Sequence, residues 1–224
     1  MYVTETDSYK KLKYVLRKPA DFKPDGKYPI IIFLHGAGGR GDDIDKIATN
    51  PFFVESERFD NNAVVFAPQC YADSWFDIFE QLQEFIEYAI NSEFCDRARV
   101  YMIGASMGGY ATWQMAMSHP EWFAAIVPVC GGGMYWNGGR LKNVAVWAFH
   151  GDEDPVVYCE ESRKMVDAVN KCGGDARLTV CRGVGHNSWI NAYTCGEMYD
   201  WLLSKRVYGA APEVDGFDNS KQYG

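Results

Sequence analysis

The sequence predicts an α/β protein built on a mostly parallel central sheet with helices on both faces. Short, continuous apolar runs rich in β-branched residues recur along the chain, as expected for strands buried on both faces of a sheet. Segments with helical periodicity separate most of these runs, and such alternation is typical of parallel sheets. At 224 residues and without an internal repeat, the chain is expected to form one domain.

Seven strands are predicted, and the first differs from the others. The run "KLKYVLR" alternates polar and apolar residues, which indicates an edge strand. A Pro/Gly-containing turn joins it to the second run, so the two are compatible with antiparallel pairing. The remaining runs are continuous and are predicted to be central strands. In chain order the seven strands are 11–17, 28–36, 62–69, 99–105, 123–131, 144–151 and 176–183.

Four helices are predicted around these strands. The first places apolar side chains on one face, the second is rich in small residues and ends at Pro120, and the third ends at a glycine pair suited to a C-cap. The predicted helices are 75–91, 107–120, 159–174 and 191–205. We expect a single domain over 1–208, followed by an irregular or mobile tail over 209–224, which is polar and rich in glycine.

Composition and charge disfavour several classes of partner. The formal net charge of -8 and a pI near 5.0 argue against nucleic acid. The sequence contains neither a basic amphipathic segment nor an apolar run long enough to span a membrane, so it gives no indication of membrane binding. No signal peptide is visible, and the seven scattered cysteines suggest neither a disulfide framework nor a zinc site. We expect a cytoplasmic protein, although a processed secreted form would have the same sequence; the oligomeric state stays open.

A small-residue turn, "GASMGG", connects a predicted strand to a predicted helix. It contains Gly104-x-Ser106-x-Gly108, the pattern of a nucleophile elbow, in which a strained turn presents a serine above the sheet. The N–H of Met107, at the start of the helix, would then point toward a developing oxyanion. The alternative is a glycine-rich turn whose serine has no catalytic role. A seryl hydroxyl needs a base to become nucleophilic, so residues elsewhere in the chain must decide.

The chain offers four histidines as the base. His186 lies in a glycine-bracketed loop between the last strand and the last helix, where its ring can reach a serine at the sheet edge. His35 is better placed to orient its own loop, and His119 lies at a helix end, where capping is the common role. His150 follows a strand and is expected to be buried. We therefore predict His186 as the base.

The third member of a serine-hydrolase constellation orients the imidazole and stabilises its charged form. "FHGDEDPVV" offers acidic residues after the sixth predicted strand, and Asp154, which precedes Pro155, is the first choice. Asp152 is the runner-up, with capping of the turn as its other role. The chain order Ser, Asp, His is the order of α/β-hydrolases and differs from those of chymotrypsin and subtilisin.

The loops at the carboxyl edge of the sheet supply the remaining candidates. The second oxyanion donor should follow the strand at 28–36, where the N–H of Ala37 is the first choice and that of Gly38 the alternative. Gln69 is predicted to bind substrate, because α/β proteins bind ligands at this edge. Trp75 either forms a pocket wall or packs as a core residue, and Trp189 has the same two interpretations.

These motifs together resemble the α/β-hydrolase superfamily, specifically the phospholipase/carboxylesterase and "predicted peptidase" esterase group. The resemblance spans about residues 10 to 205 and implies Ser106 as nucleophile, His186 as base and Asp154 as orienting acid. It also implies Ala37 and Met107 as oxyanion donors, and hydrolysis without a metal or organic cofactor. The segments that carry it include "YPIIIFLHGAGGRGDD", "VVFAPQC", "RVYMIGASMGGYATW", "SHPEWFAAIVPVCGG", "VWAFHGDEDPVV" and "GVGHNSW".

The resemblance, with the related feruloyl and acetyl-xylan esterases, implies small-molecule ester substrates. The segment "GMYWNGGRLKN" is too short for a large lid, so we expect a minimal lid and an open, shallow site. It places Tyr135 and Trp136 near the site edge, which would suit aryl or sugar-bearing acids. The predicted activity is hydrolysis of short-chain or aryl esters. The alternatives are a peptidase or amidase acting on small peptides and a non-catalytic binding module.

Overall fold

The computed structural model describes residues 2–59, 62–207 and 209. The strands in this part of the chain form one eight-stranded sheet. The order across the sheet is β1-β2-β4-β3-β5-β6-β7-β8. β1 and β2 form an antiparallel hairpin, β2 is antiparallel to β4, and all other pairs are parallel. The strands are β1 (Tyr2–Tyr9), β2 (Leu12–Pro19), β3 (Tyr28–Leu34), β4 (Val64–Pro68), β5 (Cys95–Ala105), β6 (Ala125–Val129), β7 (Ala145–Gly151) and β8 (Ala176–Cys181).

The edges of the sheet differ from the prediction. The segment 11–17 was expected at an edge, but β2 lies inside the sheet and β1, which was not predicted, forms that edge. β1 has no apolar face and most of its residues are exposed. Its backbone hydrogen bonds to β2, rather than burial of side chains, therefore hold it in the sheet. β2 pairs with β4 and not with β3. β8 is the opposite edge strand and not a central one.

Helices cover both faces of the sheet and enclose two apolar cores. The core on one face includes Phe85 and Met165, and the core on the other includes Phe52 and Leu202. The first face is covered by α3 (Phe79–Ile90), α4 (Met107–Ser118) and α5 (Cys159–Lys171). The second is covered by α1 (Asp45–Ala48), α2 (Pro51–Ser56), α6 (Trp189–Tyr193) and α7 (Gly196–Ser204). The predicted layering of helices on both faces is confirmed.

The helix boundaries show where local patterns were insufficient. The helix predicted over 75–91 begins only at Phe79, and the segment 191–205 is divided into α6 and α7. Cys195 takes an extended conformation between them and serves as the N-cap of α7. The short helices α1 and α2 were not predicted. Gly173, just beyond α5, has a φ of +80°, as expected for a glycine that ends a helix.

Among the described residues, no helix is both long enough and apolar enough to cross a membrane. All seven cysteines are free thiols. Apart from Gly209, the tail predicted over 209–224 lies outside the described residues.

Candidate active site

Ser106 occupies a tight turn between β5 and α4. Its φ of +54° and ψ of -116° lie in a region that L-residues rarely adopt, and its N–H donates to Val129 O at 2.9 Å. Side chains would not fit around this turn: a Cβ on Gly104 would lie 2.3 Å from Gly108 O, and a Cβ on Gly108 would lie 2.0 Å from Leu34 O. The glycines let β3, β5 and α4 meet closely, and the turn presents the serine at the carboxyl edge of the sheet.

Ser106, His186 and Asp154 form one hydrogen-bonded chain. His186 Nε2 lies 2.8 Å from Ser106 Oγ, and His186 Nδ1 lies 2.7 Å from Asp154 Oδ2. The three residues follow β5, β8 and β7, whose carboxyl ends lie at the same edge of the parallel sheet. The structure therefore brings together the three residues that the sequence singled out, while Asp152 instead accepts a hydrogen bond from the Gly183 N–H.

The environment of Asp154 favours its ionised form. Burial raises the pKa of this carboxyl, but hydrogen bonds from His186 and from the N–H groups of Val157 and Val156 outweigh that effect and lower the pKa overall. Both N–H groups donate to Oδ1 at 2.9 Å. A carboxylate can only accept, so His186 donates from Nδ1. In the neutral ring, Nε2 is then free to accept the proton of the Ser106 hydroxyl.

The loop after β3 lies against Ser106 and offers N–H groups to a ligand. A Cβ on Gly36 would lie 3.4 Å from Ser106 Cβ, which shows how closely this loop approaches the serine. Ala37 begins a 3-10 turn and Met107 begins α4. Among the described residues, neither N–H donates to another backbone group. Two unengaged donors beside a candidate nucleophile are what an oxyanion requires.

His35 supports this loop from beneath. It is buried, its Nδ1 donates to Gly36 O at 2.6 Å, and its Nε2 accepts the Cys70 N–H at 2.9 Å. Burial lowers the pKa of His35 to about 4, so the ring is neutral at pH 7. Its role is to orient the loop. His119 lies at the far end of α4, where its ring stacks on Trp122 at 3.9 Å.

Gln69 was predicted to bind substrate, and Trp75 either to form a pocket wall or to pack as a core residue; the structure corrects the first prediction and shows Trp75 to be a core residue. Gln69 is buried, and its Nε2 donates to Gly39 O at 2.9 Å and Asp43 O at 2.8 Å. Trp75 is fully buried, with its indole N–H on His35 O at 3.1 Å. A polar or aromatic residue at a strand end can turn inward when loop carbonyls need donors, and both residues therefore brace the loop from within.

A cavity of about 320 Å³ opens beside Ser106. Trp189 lines it and lies edge-to-face on His186, with ring centroids 5.6 Å apart, so this predicted residue does reach the site. Asn50 and Pro51, from the start of α2, and Tyr193, from α6, form other parts of its wall. The prediction missed these three as site residues, because α2 was not predicted and the predicted helix over 191–205 gave no sign that Tyr193 would face the site. This part of the cavity wall therefore comes from α2 and α6, which both cover the same face of the sheet.

One cluster among the described residues has ligand atoms spaced for a metal ion. Cys130, Asp154 and His186 each offer one such atom, all within 4.8 Å of one another. Burial raises the pKa of the Cys130 thiol to about 12, whereas metal ligation requires a thiolate. Asp154 and His186 already bond to each other. The cluster fits proton transfer better than ion binding.

Comparisons with known proteins find similarity to hydrolases. The model of the prolyl oligopeptidase family matches residues 66–137, the part of the chain that contains Ser106. The curated protein "Probable feruloyl esterase C" from Aspergillus niger is 27% identical over 210 residues, covering 89% of this chain and 77% of that protein. A protein of the same name from Aspergillus terreus is 25% identical, with the same coverage.

Solved structures give the same fold. A structure described as a thermostable esterase has 32% sequence identity and a TM-score of 0.78, and the match covers 92% of this chain and 63% of that one. This chain thus spans less than two thirds of that esterase's length. Est1E from Butyrivibrio proteoclasticus has a TM-score of 0.68 at 15% identity, covering 90% and 99% of the two chains, and at this identity the likeness concerns the fold alone.

Proposed function

We propose that this chain, a carboxylesterase-type member of the α/β-hydrolase superfamily, hydrolyses carboxylic esters through Ser106, His186 and Asp154. The observation that carries the proposal is the continuous chain of hydrogen bonds, 2.8 Å and 2.7 Å long, from the seryl hydroxyl through the imidazole to the carboxylate. The strained turn at Ser106 supports the same conclusion, because a residue without a function at that position would be replaced by glycine at lower energetic cost.

The reaction proceeds in two steps. His186 Nε2 takes the proton of Ser106 as Oγ attacks the ester carbonyl, and Asp154 stabilises the imidazolium that forms. His186 then gives the proton to the departing alkoxide, leaving an acyl-enzyme and a free alcohol. Water repeats the sequence: His186 takes its proton, hydroxide adds to the acyl carbon, and Ser106 leaves with a proton from His186.

The oxyanion formed in each step is assigned to the N–H groups of Ala37 and Met107. Within the described part of the chain, neither N–H donates to another backbone group, which supports this assignment. A donor of this kind is worth about 3 kcal/mol of activation free energy. His35 and Gln69 contribute indirectly, since their hydrogen bonds hold the loop that carries Ala37.

Short-chain and aryl esters are the proposed substrates. The cavity beside Ser106 is of moderate size, and Trp189 and Tyr193 present aromatic surface to it, which suits a planar acid or alcohol. The feruloyl esterase names of the relatives from Aspergillus favour the same class. Tyr135 and Trp136 are exposed on the segment after β6, and we propose them as further aromatic surface for a larger ester.

Peptides or amides form the second candidate class. The match to the prolyl oligopeptidase family favours it, because that match covers the turn at Ser106. Amide hydrolysis demands closer positioning of the general acid against a poorer leaving group. Comparing an aryl ester with the anilide of the same acid separates the two classes. Turnover of the ester without the anilide is the expected result, and comparable turnover of both would move the assignment to an amidase.

The decisive experiment measures hydrolysis of p-nitrophenyl esters of increasing acyl length, together with methyl ferulate and an acetylated sugar. Ser106→Ala is the control for every substrate, and a fluorophosphonate probe tests whether Ser106 is nucleophilic. We expect short or aryl esters to be preferred, and both activity and labelling to be lost in the variant. Equal activity in Ser106→Ala would overturn the assignment of Ser106 as nucleophile. A wild-type protein that neither hydrolyses an ester nor reacts with the probe would overturn the proposal and favour a non-catalytic binding module.

A further inference from the structure

His150 is a fully buried histidine at the end of β7, and its ring contacts the carboxylate of the proposed acid, Asp154. Its Nδ1 lies 2.7 Å from Ser162 Oγ. Its Nε2 lies 2.8 Å from Val157 O and 3.3 Å from Oδ2 of Asp154. The reaction described above assigns it no role, although it touches the same carboxylate oxygen that receives the hydrogen bond of His186.

The partners of the His150 ring determine where its proton lies. Both groups that face Nε2, a carbonyl and a carboxylate oxygen, can only accept, so Nε2 carries a hydrogen. It donates to Val157 O at 2.8 Å, and Oδ2 of Asp154 lies farther away, at 3.3 Å. Nδ1 faces the hydroxyl of Ser162, which also lies 2.9 Å from Gly131 O. In the neutral ring with hydrogen on Nε2, the single hydroxyl hydrogen of Ser162 is donated to Nδ1 and not to Gly131 O. In a charged ring, Nδ1 would donate to Ser162, which would donate to Gly131 O.

The neutral form with hydrogen on Nε2 is favoured at pH 7. Burial lowers the pKa of His150, while the Val157 carbonyl and Asp154 raise it and His186 lowers it. Asp154 and His186 are the titratable groups that act on this ring. A neutral Nε2–H presents a donor to the carboxylate, 3.3 Å away, without adding a charge that competes with the imidazolium of His186.

We propose that His150 is a positioning residue, whose Nε2–H holds Oδ2 of Asp154 in the direction of His186. The inference rests on the proposed function of Ser106, His186 and Asp154. Val156 and Val157 hold Oδ1 from the backbone, and His150 gives Oδ2 an anchor that takes no part in proton transfer. The carboxylate of Asp154 then keeps its orientation toward His186 while His186 gains and loses a proton in each step.

The same contacts connect α5 to the site. Ser162 lies in the first turn of α5, and the chain of groups runs from Gly131 O through Ser162 and His150 to Asp154. Ser162 is fully buried, so water does not replace it as the partner of Nδ1. The rotation of His150 is therefore fixed by groups on both sides, as expected of an outer residue that orients a catalytic one.

Two matched substitutions separate positioning from packing. Gln at position 150 places an N–H donor near the site of Nε2, on the Asp154 side, whereas Asn reaches only the site of Nδ1, on the Ser162 side. We expect His150→Asn to lower kcat by roughly 10- to 100-fold, since small displacements of catalytic groups have effects of that size. KM should change by less than about threefold, and His150→Gln should retain a kcat about tenfold above that of His150→Asn. Equal losses, or a larger loss in His150→Gln, would overturn the proposal.

A measurement on the unaltered protein keeps the test valid if a variant fails to fold. Nitrogen-15 NMR of histidine-labelled wild-type protein at pH 7 reports the tautomer of each of the four rings, with the ring of His150 identified from its variants or by sequential assignment. We expect hydrogen on Nε2 and none on Nδ1. Hydrogen on Nδ1 alone would overturn the proposal, because a bare Nε2 cannot donate to Asp154.

The two proposals fail in different ways. If wild-type protein hydrolyses no ester, or if Ser106→Ala is as active as the wild type, the proposed function fails, whatever the tautomer of His150. If hydrolysis depends on Ser106 but the variants at position 150 lose kcat equally, only the positioning role fails.

Discussion

The hydroxyl of Ser106 lies 2.8 Å from Nε2 of His186, across 80 positions of the chain. In the sheet, β6 and β7 lie between β5 and β8, but all four strands are parallel and end at the same edge. The contact is therefore a product of parallel topology, and each of the following predictions tests a part of the structure that maintains it.

Replacing Ser106 by glycine should stabilise the protein relative to replacing it by alanine. Both variants lose the hydroxyl, but alanine keeps the unfavourable backbone at a φ of +54° and glycine does not. We expect the free energy of unfolding of Ser106→Gly to exceed that of Ser106→Ala by about 1 kcal/mol. Urea unfolding measures the difference, and an alanine variant as stable as the glycine variant would contradict backbone strain at this turn.

Asp154→Asn should nearly abolish turnover. Asparagine keeps the shape but not the charge that stabilises the imidazolium, and it can present an N–H to His186 in place of an acceptor. We expect kcat to fall by about 10⁴-fold. Asp152→Asn is the matched control, since Asp152 bonds to the Gly183 N–H and not to His186, and it should change kcat by less than about threefold. A large loss in the control would reassign the acid to Asp152.

The stability of the protein should depend on the titration of His35 between pH 7 and pH 4. The unfolded chain takes up this proton near pH 6.5, whereas the buried ring takes it up only at about 4. Stability is therefore fully present above pH 6.5 and is lost as the pH falls toward 4, by about 3 kcal/mol. Urea unfolding across this range should show a loss about 3 kcal/mol larger in wild type than in His35→Gln, because the buried His150, whose pKa is also lowered, contributes its own loss in both proteins. Parallel pH dependences would exclude His35 as the cause.

Gly108→Ala should destabilise the fold far more than Gly38→Ala. A Cβ at Gly108 would lie 2.0 Å from Leu34 O, so β3 and α4 would have to separate, whereas a Cβ at Gly38 meets nothing within 4 Å. The expected losses of unfolding free energy are about 3 kcal/mol and less than about 0.5 kcal/mol. Thermal melting of both variants tests the difference, and similar melting temperatures would show that the elbow tolerates a side chain.

Trp189→Ala should raise KM for aryl esters more than it lowers kcat. Trp189 lines the cavity beside Ser106 and packs edge-to-face on His186. A loss of about 1.4 kcal/mol in the binding free energy of the substrate corresponds to a tenfold higher KM. Trp122→Ala provides the control, because Trp122 stacks on His119 at the far end of α4. A KM unchanged by Trp189→Ala would place the aryl group elsewhere, along the exposed rings of Tyr135 and Trp136.

Much of the candidate site could be predicted because its residues lie in short sequence patterns that can be recognised without knowing the fold. The turn at Ser106 needs glycines on both sides, and continuous apolar runs mark the buried strands that precede Ser106 and Asp154. Gln69 and Trp75 show the limit of this reasoning. Each follows a strand, as a ligand-binding residue would, yet each turns inward, because loop carbonyls far away in sequence require its donor.

The sequence by itself determined the fold class, the layering of helices, and the order in which the serine, aspartate and histidine follow their strands. Backbone propensity, apolar periodicity and glycine requirements act over a few residues and can be read directly. Only the tertiary structure decided that β1 forms the edge and that α2 and α6 contribute cavity walls. It also placed His150 in contact with Asp154. These features depend on which segments meet in space, and pairing and burial over long distances leave no local pattern to read.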